Sequence, residues 1–183
     1  MSKTTYTLVC IALFAVLTAI CSWITIPFAV PFTLQTFAVF CTLLLLGGKW
    51  GTVTIAVYIL MGTIGIPVFS GFSAGVGQLL GPTGGYIIGF LATGLIYWLS
   101  SKLFGRKLYV KIISLVIGLL ACYALGTVWF VKIYSDRVGE IGFGAALSMC
   151  VIPFILPDLC KMACAILLSR KIGFMTLDKV RQD

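Results

Sequence analysis

Apolar residues dominate six runs, at 6–26, 32–46, 52–64, 83–99, 112–131 and 144–168, separated by short polar, proline-bearing or glycine-bearing breaks. Four of these runs have the length a helix needs to cross a hydrocarbon core of about 30 Å. The runs at 32–46 and 52–64 are shorter, which fits helices that tilt little or extend into the interface. The pattern predicts an all-α integral membrane protein: a single domain over 1–183, built as a bundle of six transmembrane helices.

The breaks carry their own information. Pro27 and Pro31, in IPFAVPFTLQ, enforce an extended, non-helical connection after the first run. Polar groups then open the second run at Thr33, Gln35 and Thr36. GGKWG at 47–51 predicts a tight turn carrying Lys49. The stretch 65–90, GIPVFSGFSAGVGQLLGPTGGYIIGF, holds eight glycines in 26 residues and one amide side chain, Gln78. Such a stretch suits either a re-entrant turn packed through small residues or a backbone that lines a cavity. GPTGGY lacks the Gly-Lys-Ser/Thr ending of a phosphate loop. The last run holds Pro153 and Pro157, which predict a kink or break.

Composition strengthens the membrane reading. Hydrophobic residues make up 61% of the chain and charged ones 10%, against about 25% charged in soluble domains. The net charge of +8 follows topology and gives no reason to invoke nucleic acid. Six crossings put both termini on one side. Ten basic residues fall there: Lys3, Lys49, Lys102, Arg106, Lys107, Lys111, Arg170, Lys171, Lys179 and Arg181. Only Lys132 and Arg137 fall opposite, so the positive-inside rule makes both termini cytoplasmic. The proline connection and the Gly-rich stretch then both face outside. The seven cysteines sit almost wholly in apolar runs and read as small packing residues. With no histidine in the chain, neither a metal site nor a Ser-His-Asp constellation is expected.

Within the last run, in PFILPDLCKMACAILL, stand Asp158 and Lys161. A charge at mid-membrane costs about 2.5–3.5 kcal/mol on insertion scales. Spacing of i, i+3 places both side chains on one helix face, which the other helices must cover. A structural ion pair is one use of such residues, although desolvation cancels much of its Coulomb gain. A polar ligand site is the other, and ionisable residues inside a membrane point to function by default.

The runs IPFAVPFTLQTFAVF, GIPVFSGF, GPTGGYIIGF, YALGTVWF and PFILPDLCKM together resemble the BioY family, the biotin-specific S components of energy-coupling-factor (ECF) vitamin transporters. The resemblance covers residues 12–168, and its most specific parts are TLQTFAV, GPTGGY and the late D-x-x-K. Pro157 departs from the glycine that the family usually places before the Asp. The resemblance implies a plasma-membrane S component of a prokaryote that captures biotin from outside with high affinity. Its implied partners, besides the lipid bilayer, are a membrane coupling protein and two ATPase subunits. Biotin would be bound as transported substrate, with no cofactor. Small residues of the first helix, Ala12, Ala15 and Ala19, would offer the docking surface for the coupling protein. Asp158 would accept the ureido N–H groups, and such charge-assisted bonds are strong. Lys161 would donate to the ureido carbonyl or to the carboxylate. Gln78 and Gln35 can each donate and accept, the backbone N–H groups of Gly84, Gly85 and Tyr86 can donate, and the Tyr86 and Phe72 rings offer apolar surface.

Other classes leave different marks. A membrane enzyme would use Asp158 and Lys161 as acid and base, but the chain has no histidine and no paired carboxylates in the membrane. An ion-coupled carrier often shows duplicated halves with broken helices, and no such repeat is present. Another vitamin is the nearer alternative. ATP cannot be hydrolysed by this chain, which has no Walker sequence.

Overall fold

The structure, a computed structural model, describes residues 2–27 and 30–172. Lys179 and Arg181, part of the basic set above, lie outside the described residues.

The elements run in the order α1 (Lys3–Trp23), β1 (Thr25–Ile26), β2 (Phe32–Thr33), α2 (Gln35–Thr63), a 3-10 turn (Ser70–Phe72), α3 (Val76–Leu79), α4 (Gly84–Phe104), α5 (Leu108–Arg137), α6 (Phe143–Cys150) and α7 (Ile152–Ile172). Continuous as it is in hydrogen bonding, α2 is not one rod. Gly47 adopts φ +81°, a conformation that residues bearing a Cβ rarely take, and the chain folds back there. The Gln35 Nε2–Tyr58 OH distance is 2.9 Å. In a straight helix those residues would stand roughly 35 Å apart. The two arms, 35–46 and 48–63, therefore lie side by side, with Gly51 against the backbone of Leu43. Among the described residues, five helical stretches are long and apolar enough to cross a membrane. With α2 folded double, and α6 and α7 forming one stretch, the bundle has six helical segments, as the hydrophobic pattern predicts.

The prolines act as expected, with local detail that only the structure supplies. The connection after α1 is a small hairpin, with Thr25 paired to Thr33 and Ile26 to Phe32. In the last stretch the helix breaks at Val151 (φ −124°, ψ −56°), where the ring of Pro153 obstructs the preceding turn. Pro157 is accommodated inside α7.

Packing is tightest where small residues let helices meet. On α5, Gly126 lies under the ring of Tyr86 from α4, and a Cβ there would overlap the ring. A smaller buried cluster joins Ala15 and Ala19 of α1 to Tyr58, Val68, Phe69 and Ile87. This corrects the expected docking surface. Ala15 and Ala19 are 1% and 3% exposed, covered by their own bundle, and only Ala12 of the three reaches the outside. The small side chains of Ala15 and Ala19 serve close helix approach within the chain. The outward face of α1 is instead the stripe of Leu8, Ala12, Val16 and Ile20.

Candidate functional site

The proline connection and the Gly-rich stretch meet over one cavity. A space of about 70 Å³ is walled by Val30, Pro31 and Thr33 of the proline connection, by Ser70 and Thr83 of the Gly-rich stretch, and by residues of α2, α4, α5, α6 and α7. Most of its wall is apolar, including Ile87, Phe90, Leu119 and Phe154. The polar residues Gln35, Thr36, Tyr123, Asp158 and Lys161 share that wall. A largely apolar pocket with a few placed polar groups is the general form of a small-molecule site.

The polar cluster centres on Asp158, which is 3% exposed. Lys161, one turn later on α7, donates from Nζ to Asp158 Oδ1 at 2.9 Å. Thr36 Oγ1 donates to the same oxygen at 3.0 Å, and Tyr123 OH donates to Oδ2 at 2.7 Å. Lys161 also donates to the carbonyl oxygen of Thr33 at 2.7 Å and lies 4.2 Å from the centre of the Phe32 ring. Helices α2, α5 and α7 and the proline hairpin thus converge on one ion pair. Charge is cancelled locally and most of its hydrogen-bonding capacity is satisfied, which lowers the cost of burial.

A second chain of bonds ties the Gly-rich stretch to the cavity wall. Gln35 donates to Tyr58 OH, which donates to the carbonyl of Val68 at 3.0 Å, and Ser22 Oγ reaches that same oxygen at 2.5 Å. Trp23 adds a bond from Nε1 to the carbonyl of Pro67 and stacks on Phe72, with ring centroids 4.9 Å apart. From the other side Trp129 Nε1 donates to Gly81 and Arg137 to Leu80, both through backbone carbonyls.

Of the residues singled out in the sequence, Asp158, Lys161, Gln35 and Tyr86 come together on the cavity wall. Gln78, Gly84 and Gly85 do not line it. Gln78 Nε2 reaches Thr83 Oγ1 at 3.3 Å, Gly84 lies against the carbonyl of Leu79, and Gly85 packs on Trp129. Phe72 is 64% exposed on the outer surface of its loop. Tyr123 was not singled out by the sequence reading. The signal for it was a hydroxyl in the middle of an otherwise apolar run, which needs a partner when buried.

A model of the BioY family matches residues 1–176. A protein of Pyrococcus horikoshii named a probable biotin transporter is 39% identical, over 88% of this chain and 93% of its own length. A biotin transporter of Thermotoga maritima is 37% identical, over 91% of this chain and 95% of its own. The fold is shared with the S component for biotin of an ECF-type ABC transporter, whose crystal structure superposes with a TM-score of 0.82 at 24% identity. That match covers 96% of this chain and 94% of the other.

Proposed function

Since the chain belongs to the BioY family, we propose that it is the substrate-binding S component of an ECF transporter, taking biotin from outside the cell and releasing it inside. The observation that carries this reading is the Asp158–Lys161–Thr36–Tyr123 cluster on the wall of an apolar cavity roofed by two loops. Biotin combines a urea with two N–H donors, an apolar ring and chain, and a carboxylate. Asp158 accepts from the urea. Lys161 spends its three N–H donors on Asp158, the Thr33 carbonyl and, in a long contact of 3.4 Å, Thr36 Oγ1, and this last contact is the one it exchanges for a ligand oxygen. The aliphatic parts of biotin lie against Ile87, Phe90, Leu119 and Phe154.

In this reading the termini are cytoplasmic, the membrane is the plasma membrane, and the proline hairpin and Gly-rich stretch face outside. The distribution of charge supports it. Lys3, Lys49, Lys102, Lys107, Arg170 and Lys171 stand at the helix ends remote from the cavity roof, whereas Arg137 is bonded to the roof itself. A coupling protein and two ATPases drive release. Docking on the coupling protein uses the outward stripe of α1 around Ala12. No chemical change of biotin is involved, in keeping with relatives named as transporters.

Titration calorimetry of the purified protein with biotin tests the reading. Saturable tight binding, with biotin recovered unchanged, is the expected result. A well-folded protein that does not bind biotin would overturn it and turn attention to other vitamins. Uptake measured with and without the energising module then tests the partners, since full uptake by this chain alone would exclude their necessity.

A further inference from the structure

A carboxylate has about four acceptor positions, two on each oxygen. Among the described residues, Lys161 and Thr36 occupy both positions on Asp158 Oδ1. Tyr123 occupies one on Oδ2, at 2.7 Å in a buried contact. One position remains open on a carboxylate that lines the cavity.

We propose that Tyr123, with Thr36, is a specificity-determining positioning residue: together with Lys161 the two hydroxyls occupy all but one acceptor site and so restrict Asp158 to a single N–H donor of the ligand. The inference rests on the biotin reading above and deepens it. Tyr123 also fixes the rotation of the carboxylate. Lys161 and Asp158 share α7, so their mutual contact leaves Oδ2 tied to no other element. Tyr123 comes from α5, and its bond sets where Oδ2 lies relative to the far wall. The two ureido N–H groups are therefore recognised unequally. One meets Asp158, and the other must be satisfied by a different group or left towards water.

Biotin and its two mono-N-methylated ureido analogues, each blocked at a different nitrogen, are the probes. With the wild-type protein, methylation at one nitrogen should weaken binding on the order of tenfold to a hundredfold, the effect of losing a buried bond to a charge, and methylation at the other far less. Tyr123→Phe removes one hydroxyl and opens a second site on Oδ2. It should weaken biotin on the order of tenfold and shrink the difference between the two analogues. Thr36→Val opens a site on Oδ1 and should shrink the difference too, so it carries the test if Tyr123→Phe does not fold. Wild type that binds biotin but rejects both analogues equally overturns the single-donor inference and leaves the biotin reading intact. So does a folded Tyr123→Phe or Thr36→Val protein that keeps the wild-type ratio. Wild type that binds none of the three overturns both.

Discussion

Removing Lys161 separates the cost of a buried charge from the loss of a ligand contact. The ammonium stands 2.9 Å from Asp158 Oδ1. At that distance an effective dielectric of about 20 gives roughly 6 kcal/mol of attraction, much of which desolvation offsets. Lys161→Met leaves Asp158, 3% exposed, with two neutral hydroxyl donors, Thr36 and Tyr123, and no counter-charge. Breaking a buried pair from one side costs about 3–5 kcal/mol. Adding Asp158→Asn removes the stranded charge, and neutral replacements of buried pairs are often close to neutral in stability. The bond to the Thr33 carbonyl is lost in both variants, so the double variant should recover to within about 1–2 kcal/mol of wild type. Thermal unfolding in detergent measures stability, and calorimetry with biotin measures function. The single variant should be the least stable of the three, and neither variant should bind biotin tightly. If the double variant is no more stable than Lys161→Met, the stranded charge is not the source of the loss. If Lys161→Met retains tight binding, the ion pair is scaffolding and the ligand lies elsewhere.

Three further changes probe the scaffold. Ala15→Leu, at a position 1% exposed, should overpack the contact of α1 with Tyr58 and Phe69 and cost about 1–3 kcal/mol in thermal unfolding; an unchanged midpoint would mean that α1 is looser than described. Gly126→Ala should displace the Tyr86 ring that lines the cavity and weaken biotin binding, and calorimetry showing wild-type affinity would refute that coupling. Tyr58→Phe severs the link from Gln35 to Val68, so limited proteolysis should cut the Gly-rich stretch faster than in wild type, with equal rates counting against the link.

How far the sequence spoke depended on whether a residue acts locally or at long range. Six segments were legible because membrane-length apolar runs and proline breaks are local signals. The fold-back of α2 was legible as GGKWG, since a tight turn at Gly47 needs only the neighbouring residues. Asp158 and Lys161 stood out because a charge in a greasy run demands an explanation. Thr36 was visible as a polar group opening the second run, but its pairing with Asp158, and that of Tyr123, was not, because they lie 122 and 35 residues away in sequence and their convergence is a property of packing. The alanines of α1 misled for the same reason. A small-xxx-small pair says that something approaches closely, and it does not say whether the visitor is another protein or the chain's own α2. Among the glycines, composition could not tell that Gly84 and Gly85 make room for Leu79 and Trp129 rather than line the cavity.

The mutual cancellation of Asp158 and Lys161 has an electrical consequence. The Asp158–Lys161 pair is neutral as a whole, so it adds no net charge to a movement of the site within the membrane field. A bound biotin carboxylate adds one negative charge. Carrying that charge across the full potential involves about 2.3 kcal/mol per 100 mV, against the field when the cell interior is negative. Under the inward delivery of biotin proposed above, the loaded step is voltage-sensitive through its cargo, while the ion pair contributes no net charge in either direction.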